Sequence, residues 1–153
     1  MTLFKNRSSD KENLRTRVIR TCCEGEVIDI SKVSNSAISS MILGEGFGVI
    51  CSKPEIVSPV DGIIKDVSDG GHSYAIQTID GISIIVCITA SSREEKLAPE
   101  VVVGQMVDAG DLLCRKENAE VSVIITNTEI FSKYKIAVGK AKSNSDGVVI
   151  YEL

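Results

Sequence analysis

The sequence predicts an all-β fold, an antiparallel β-sandwich or barrel with short helical segments. Two observations carry this prediction. Apolar residues occur in short, β-branched runs that are separated by Gly, Asp and Asn. Aromatic residues make up only 4% of the chain and Trp is missing, so the core must be built from Ile, Val, Leu and Ala.

Each predicted strand is a run of alternating or continuously apolar residues bounded by turn-forming residues. In chain order the runs are RVIRTCC, GEVIDI, FGVIC, GIIKDV, SYAIQTI, ISIIVCITA, DLLCR, EVSVIIT and GVVIYEL. Only two stretches have a helical pattern, NSAISSMI and SSREEKLA at residues 91–98, and both are short.

The chain of 153 residues is long enough for one domain with a substantial core. Residues 1–17 are rich in basic residues and poor in apolar ones, so we predict a flexible charged tail there and one β-sandwich domain over residues 18–153. No apolar run approaches the roughly 20 residues that a membrane helix needs, and the first residues lack the apolar stretch of a signal peptide. We therefore expect a cytoplasmic protein without stable membrane insertion.

Charge and cysteine content limit the possible partners and ligands. The net charge of -4 disfavours general affinity for nucleic acid. The five cysteines, Cys22, Cys23, Cys51, Cys87 and Cys114, are odd in number and lack CxxC spacing. This pattern suggests neither a disulfide framework nor a zinc site, and it favours a reducing compartment. We predict no cofactor and no metal.

Asp80-Gly81 is the strongest hairpin signal in the chain, because a two-residue type I′ turn needs positive φ at both central residues. Such a turn places Tyr74 opposite Cys87. It would make Cys87 and the single histidine, His72, diagonal neighbours on one face, with β-carbons roughly 7 Å apart. A three-residue loop would break this relation. The alternative is that Cys87 packs as a small apolar residue and His72 caps a turn.

The chain resembles the glucose-type enzyme IIA domain of the bacterial phosphoenolpyruvate-dependent sugar phosphotransferase system. The resemblance runs from GEVIDI to the C-terminus and rests on several short segments in a fixed order. These are GEG at 44–46, VSPVDGIIKDV at 57–67, the His72 strand, DGISIIVCI, VGQMVDAGDLL at 103–113 and VSVIITN at 121–127. It implies a β-sandwich in which two histidines on adjacent strands carry and steady a phosphoryl group received from the phosphocarrier HPr.

The resemblance also assigns roles to positions of this chain. His72 matches the steadying histidine, and Cys87 stands at the phospho-acceptor position. Other matched positions depart from the family pattern: Ser91 and Asn35 replace acidic residues, and Gly70 replaces a hydroxyl residue. The positions that form the apolar rim of the family site are occupied here by Ser68, Ile38, Ile85 and Ile88.

Several functions remain open at this point. The first is a degenerate or regulatory homologue that binds HPr-like phosphocarriers, sugar permease IIB and IIC domains or regulatory targets without carrying phosphate. The second is an active phosphocarrier that uses Cys87 or His72. A metal site formed by these two residues would lack further ligands. A biotinyl- or lipoyl-type carrier domain with Lys53 as the modified residue would lack the flanking methionines and has Pro54 directly after the lysine.

Overall fold

A computed structural model describes residues 16–141 and 146–153 of the chain. Strands dominate this part and all their pairings are antiparallel, which confirms the all-β prediction. The strands are β1 Thr16–Arg20, β2 Gly25–Asp29, β3 Glu45–Cys51, β4 Glu55–Val57, β5 Gly62–Val67, β6 Ser73–Gln77, β7 Ser83–Ile88, β8 Met106–Val107, β9 Leu112–Arg115, β10 Glu120–Ile125, β11 Lys133–Ile136, β12 Gly139–Ala141 and β13 Gly147–Glu152. The expected tail lies largely outside the described residues, and β1 already includes Thr16.

The strands form one large sheet and two small ones. The large sheet has the order β12-β2-β3-β10-β7-β6-β5-β8, and the small sheets have the orders β1-β13-β11 and β4-β9. The strands β6, β7 and β10 are neighbours in the large sheet, so the β6–β7 hairpin meets a strand from a distant part of the chain there.

Two apolar clusters lie among the described residues. The main core contains the alternate residues Ile84, Val86 and Ile88 of β7 together with Tyr74 and Ile76 of β6. The second cluster is smaller and consists of Ile30, Val33, Ile38 and Ile124, with Ile28, Ile85 and Cys87 packed against it. Since side chains alternate along a strand, Cys87 belongs to the opposite face of β7 from Ile88.

The helical predictions are half correct. NSAISSMI contains the helix α1, Ser36–Ser39, which begins after Asn35 because the Asn35 side chain accepts hydrogen bonds from Ala37 N and Ile38 N. Residues 91–94 form bends and a turn and residues 95–98 are irregular, so no helix forms over 91–98. The strands β4, β8, β11 and β12 were not predicted. They have two to four residues each, too few for a periodic pattern to be recognised.

The cysteines were not expected to form disulfides, and this prediction is wrong for Cys23 and Cys51. Cys23 and Cys51 are joined by a disulfide with a Cα to Cα distance of 6.0 Å, and both residues are buried. The pairing of Gly25 in β2 with Cys51 in β3 brings them together. Cysteine count and spacing contain no information on this register. Cys22, Cys87 and Cys114 are free thiols.

Candidate functional site

The Thr78 N–H donates to the Ile82 carbonyl at 3.0 Å, so the β6–β7 hairpin has the three-residue loop 79–81 and the predicted register is wrong by one residue. Ser73 is opposite Cys87. The Ile88 backbone N–H donates to the His72 carbonyl at 2.7 Å, which places His72 beside Ile88 in register. The inference that His72 and Cys87 are diagonal neighbours on one face is thereby overturned, because a shift of one residue exchanges the two faces of a strand.

Contacts made by the loop explain its length. Gly81 has φ +92°, and its N–H donates to the Thr78 carbonyl at 3.1 Å. This arrangement is typical of a three-residue loop with a bulge at glycine. The Asp80 carboxylate accepts a hydrogen bond from the Thr78 hydroxyl and another from the Tyr151 hydroxyl at 3.1 Å. Tyr151 belongs to the last strand, so a tertiary contact stabilises the loop.

Cys87 lies in an apolar environment. It packs against the second cluster beside Ile85, and its directly paired neighbours are Ser73 of β6 and Ser122 of β10. Burial raises the pKa of the Cys87 thiol above its ordinary value. Among the described residues, no hydrogen bond joins the thiol to His72. The thiol is therefore protonated at neutral pH, which is the unreactive form.

His72 is held by the carboxylate of Glu95, which is not among the predicted site residues. Its Nε2 lies 3.2 Å from Oε1 of Glu95, and the same oxygen accepts a hydrogen bond from Nζ of Lys116 at 2.7 Å. The Ser91 backbone N–H donates to this oxygen as well, at 3.0 Å. We call His72, Glu95 and Lys116 the polar triad. Hydrogen bonds from Lys116, then Ser91, then His72 lower the pKa of Glu95 to about 2, so Glu95 is ionised.

A second carboxylate connects the polar triad with the α1 region. Lys116 Nζ also donates to the carbonyl of Thr89 at 2.7 Å. The Thr89 hydroxyl donates to Oε2 of Glu120 at 3.1 Å, and the Ser34 hydroxyl donates to the same oxygen at 2.5 Å. The segment after Cys87 is thus fixed between β9, β10 and the residues before α1.

The remaining predicted site residues fall into two groups. Ile38 and Ile85 lie in the cluster that contains Cys87, as a shared surface would require. Ile88 does not, because it is only 2% exposed and belongs to the main core, so its prediction as an apolar rim residue is wrong. The alternation of β7 faces explains this difference.

The polar and small residues among the predicted site residues are Ser68, Gly70 and Ser91, and they lie around His72 or its neighbour Ser73. The Ser68 hydroxyl accepts from Ser73 N at 2.9 Å. A β-carbon added at Gly70 would lie 3.4 Å from Nδ1 of His72. Ser91 contributes its backbone N–H to the Glu95 carboxylate. Each of these residues therefore shapes the surroundings of His72 or of the residue opposite Cys87.

Two members of the polar triad were missed for different reasons. Glu95 lies in a stretch predicted to be a short helix, whereas the segment is irregular and turns its carboxylate toward His72. Lys116 follows β9, and its contacts with Thr89 and Glu95 span more than twenty residues. No local pattern indicates such a contact.

Metal ligation finds no support in residues 16–141 and 146–153, where no group of three His, Cys, Asp or Glu side chains could hold an ion. No helix of the described part is long and apolar enough to cross a membrane. Lys53, the carrier-domain candidate, is exposed and forms an ion pair with Glu24 at 3.2 Å.

Two proteins of the sugar phosphotransferase system are similar to this chain in sequence. A glucose-specific EIICBA component of the phosphotransferase system from Streptococcus pneumoniae is 29% identical over 133 residues, which cover 79% of this chain and 18% of that protein. A glucose-specific EIIA component from Haemophilus influenzae is 30% identical over 115 residues, which cover 72% of this chain and 69% of that one. The match to the first protein therefore spans less than a fifth of that protein's length.

The fold is also that of a solved structure. Glucose permease IIA from Mycoplasma capricolum superposes with a TM-score of 0.77 at 22% identity, covering 89% of this chain and 96% of that chain. The family model described as "phosphoenolpyruvate-dependent sugar phosphotransferase system, EIIA 1" matches residues 17–131. These matches favour an EIIA domain over a biotinyl or lipoyl carrier. The chain belongs to the EIIA 1 family of the phosphoenolpyruvate-dependent sugar phosphotransferase system.

Proposed function

We propose that this protein is an EIIA-type domain that binds other components of the sugar phosphotransferase system, or regulatory targets, without carrying a phosphoryl group on Cys87. The observation that carries the proposal is the environment of the acceptor position. The Cys87 thiol packs in an apolar cluster, and burial raises its pKa. A thiol must lose its proton before it attacks phosphorus, and among the residues that the structure describes no cation that would favour the thiolate is bonded to the Cys87 thiol.

The state of His72 supports the same proposal. Its Nε2 is engaged by the ionised Glu95 carboxylate. Attack on phosphorus needs a free imidazole lone pair at the attacking nitrogen, and a carboxylate bonded there also repels an incoming phosphoryl group. Neither the Cys87 thiol nor Nε2 of His72 is therefore prepared for transfer in this conformation.

The surface next to Cys87 is suited to protein contact. Helix α1 buries Ile38 against the second cluster, and the three residues Met41, Ile42 and Leu43 that follow are exposed and apolar. Exposed apolar residues beside a packed cluster are typical of protein interaction sites. We infer an EIIB-type domain as partner, because several relatives are EIICBA components, in which the EIIA part belongs to a longer chain.

The test is incubation of the purified protein with labelled phosphoenolpyruvate, enzyme I and HPr. We expect no stable label on the wild type. Acid-labile label that is lost in His72→Ala would contradict the proposal and assign the acceptor role to His72. Label that survives acid and is lost in Cys87→Ser would contradict it in favour of the thiolate.

A gain-of-function variant examines the acceptor position directly. In Cys87→His an imidazole, which attacks without losing a proton, replaces the protonated thiol. We expect this variant to accept some label from HPr. A variant that folds and still binds HPr but gains no label would show that the acceptor residue is not what limits transfer.

A further inference from the structure

The oxygen Oε1 of Glu95 lies where three hydrogen-bond donors converge. These donors are Nε2 of His72 at 3.2 Å, Nζ of Lys116 at 2.7 Å and the backbone N–H of Ser91 at 3.0 Å. They come from the residue before β6, the residue after β9 and the segment after β7. The tertiary fold therefore brings the three donors together, and no local sequence motif does. Donors that converge on one point from separate elements form an anion-binding site.

Lys116 is the fixed part of this site. Only 10% of its side chain is exposed, and its Nζ is also oriented by the Thr89 carbonyl at 2.7 Å. Placing a lysine ammonium in such surroundings is costly unless an anion compensates its charge. The Glu95 carboxylate supplies that anion, and its low pKa reflects how strongly the donors favour a negative charge there.

Glu95 is the part of the site that a side-chain rotation could remove. It belongs to residues 91–97, which we call the strap, and the strap has no helix or strand. The Leu97 N–H is anchored by the Gly70 carbonyl at 2.8 Å, and the Leu97 side chain packs against the main core. Glu94 and Lys96, on either side of Glu95, are exposed. Rotation of the Glu95 side chain alone would free all three donors while the strap keeps its anchor.

We propose that His72, Lys116 and the Ser91 N–H form an oxyanion site that Glu95 occupies as an internal ligand, so that a tetrahedral oxyanion such as phosphate binds only by displacing this carboxylate. Glu95 thereby acts as an intramolecular competitor. This inference deepens the proposed function, since it explains why Nε2 of His72 is unavailable. It concerns anion binding without covalent transfer, so the experiments can reject the oxyanion site and the proposed function independently of each other.

The experiment is a titration with inorganic phosphate at constant ionic strength and neutral pH, followed by the NMR signals of the Ser91 amide and the His72 ring. In Glu95→Ala we expect saturable shifts of both signals and an affinity at least about tenfold above that of the wild type. Chloride at the same ionic strength should leave them unchanged. Glu94→Ala is the matched control because it removes the same charge from an exposed neighbouring position.

A second variant identifies the cation. Lys116→Met in the Glu95→Ala background should abolish the phosphate-dependent shifts, whereas Lys116→Arg should retain them. Amide dispersion in the spectrum of each variant verifies the fold, and the Arg variant keeps the test valid if the Met variant unfolds. Equal phosphate affinity in Glu95→Ala, Glu94→Ala and wild type would overturn the proposal, as would binding that persists without Lys116 in a folded protein.

Discussion

Reduction of the Cys23–Cys51 disulfide should lower the stability of the protein by several kcal/mol. The bond joins residues 28 positions apart and removes loop-closure entropy from the unfolded chain. The chain-entropy relation gives about 3.6 kcal/mol at 25 °C for a loop of this length. For a protein of this size such a loss lowers Tm by about 7–14 °C.

Urea denaturation followed by circular dichroism measures this difference when it is performed with and without a thiol reductant. The wild type should lose stability in the reductant. Cys51→Ala, which cannot form the bond, should give the same midpoint in both conditions. Cys114→Ala, which removes a buried free thiol, should keep the full response to reductant. A wild-type midpoint that the reductant leaves unchanged would refute the reasoning.

Three further predictions concern the site and its supports. In peptide mapping, Cys87 should react with iodoacetamide more slowly than a free cysteine at pH 7 and faster as the pH rises, because its pKa is raised; faster reaction at pH 7 would contradict the apolar environment. Glu95 has a folded-state pKa of about 2 against an ordinary 4.5, so its stabilising effect is complete above 4.5 and lost as the pH falls toward 2. The Tm difference between wild type and Glu95→Gln should vanish over that window, and a constant difference would argue against the carboxylate contacts. Gly71→Ala should destabilise the protein by about 1 kcal/mol or more, because φ is +72° and the new β-carbon would lie 2.6 Å from the Leu97 carbonyl oxygen. Gly81→Ala, where φ is +92° and the new β-carbon meets open space, should lower the free energy of unfolding in urea by less. An equal loss in both variants would mean that the clash at residue 71 is relieved without cost.

The sequence was sufficient to predict the fold class, because β-branched runs and turn residues act locally. Nine predicted strands correspond to strands of the structure, and the unpredicted ones are short. The hairpin register was not predictable in this way. The loop of this hairpin contacts a distant residue, since Asp80 accepts a hydrogen bond from Tyr151, which is 71 residues away, and no local pattern indicates that contact.

The candidate site was predictable in part. His72, Cys87, Ile38 and Ile85 were singled out from the sequence, and the last three lie in one cluster. The partners of His72 were not found, because Lys116 reaches Glu95 from the end of another strand. Charged residues at the end of a short strand are usually exposed to solvent, and only the packing of strap and sheet shows otherwise.

We propose that this EIIA-family domain binds its partners while Cys87 stays unphosphorylated. The decisive test is intact-mass measurement after incubation with phosphoenolpyruvate, enzyme I and HPr, performed at neutral pH to preserve phosphohistidine. We expect an unchanged mass for the wild type and a phosphoryl adduct on Cys87→His. A phosphoryl adduct on the wild-type protein would contradict it.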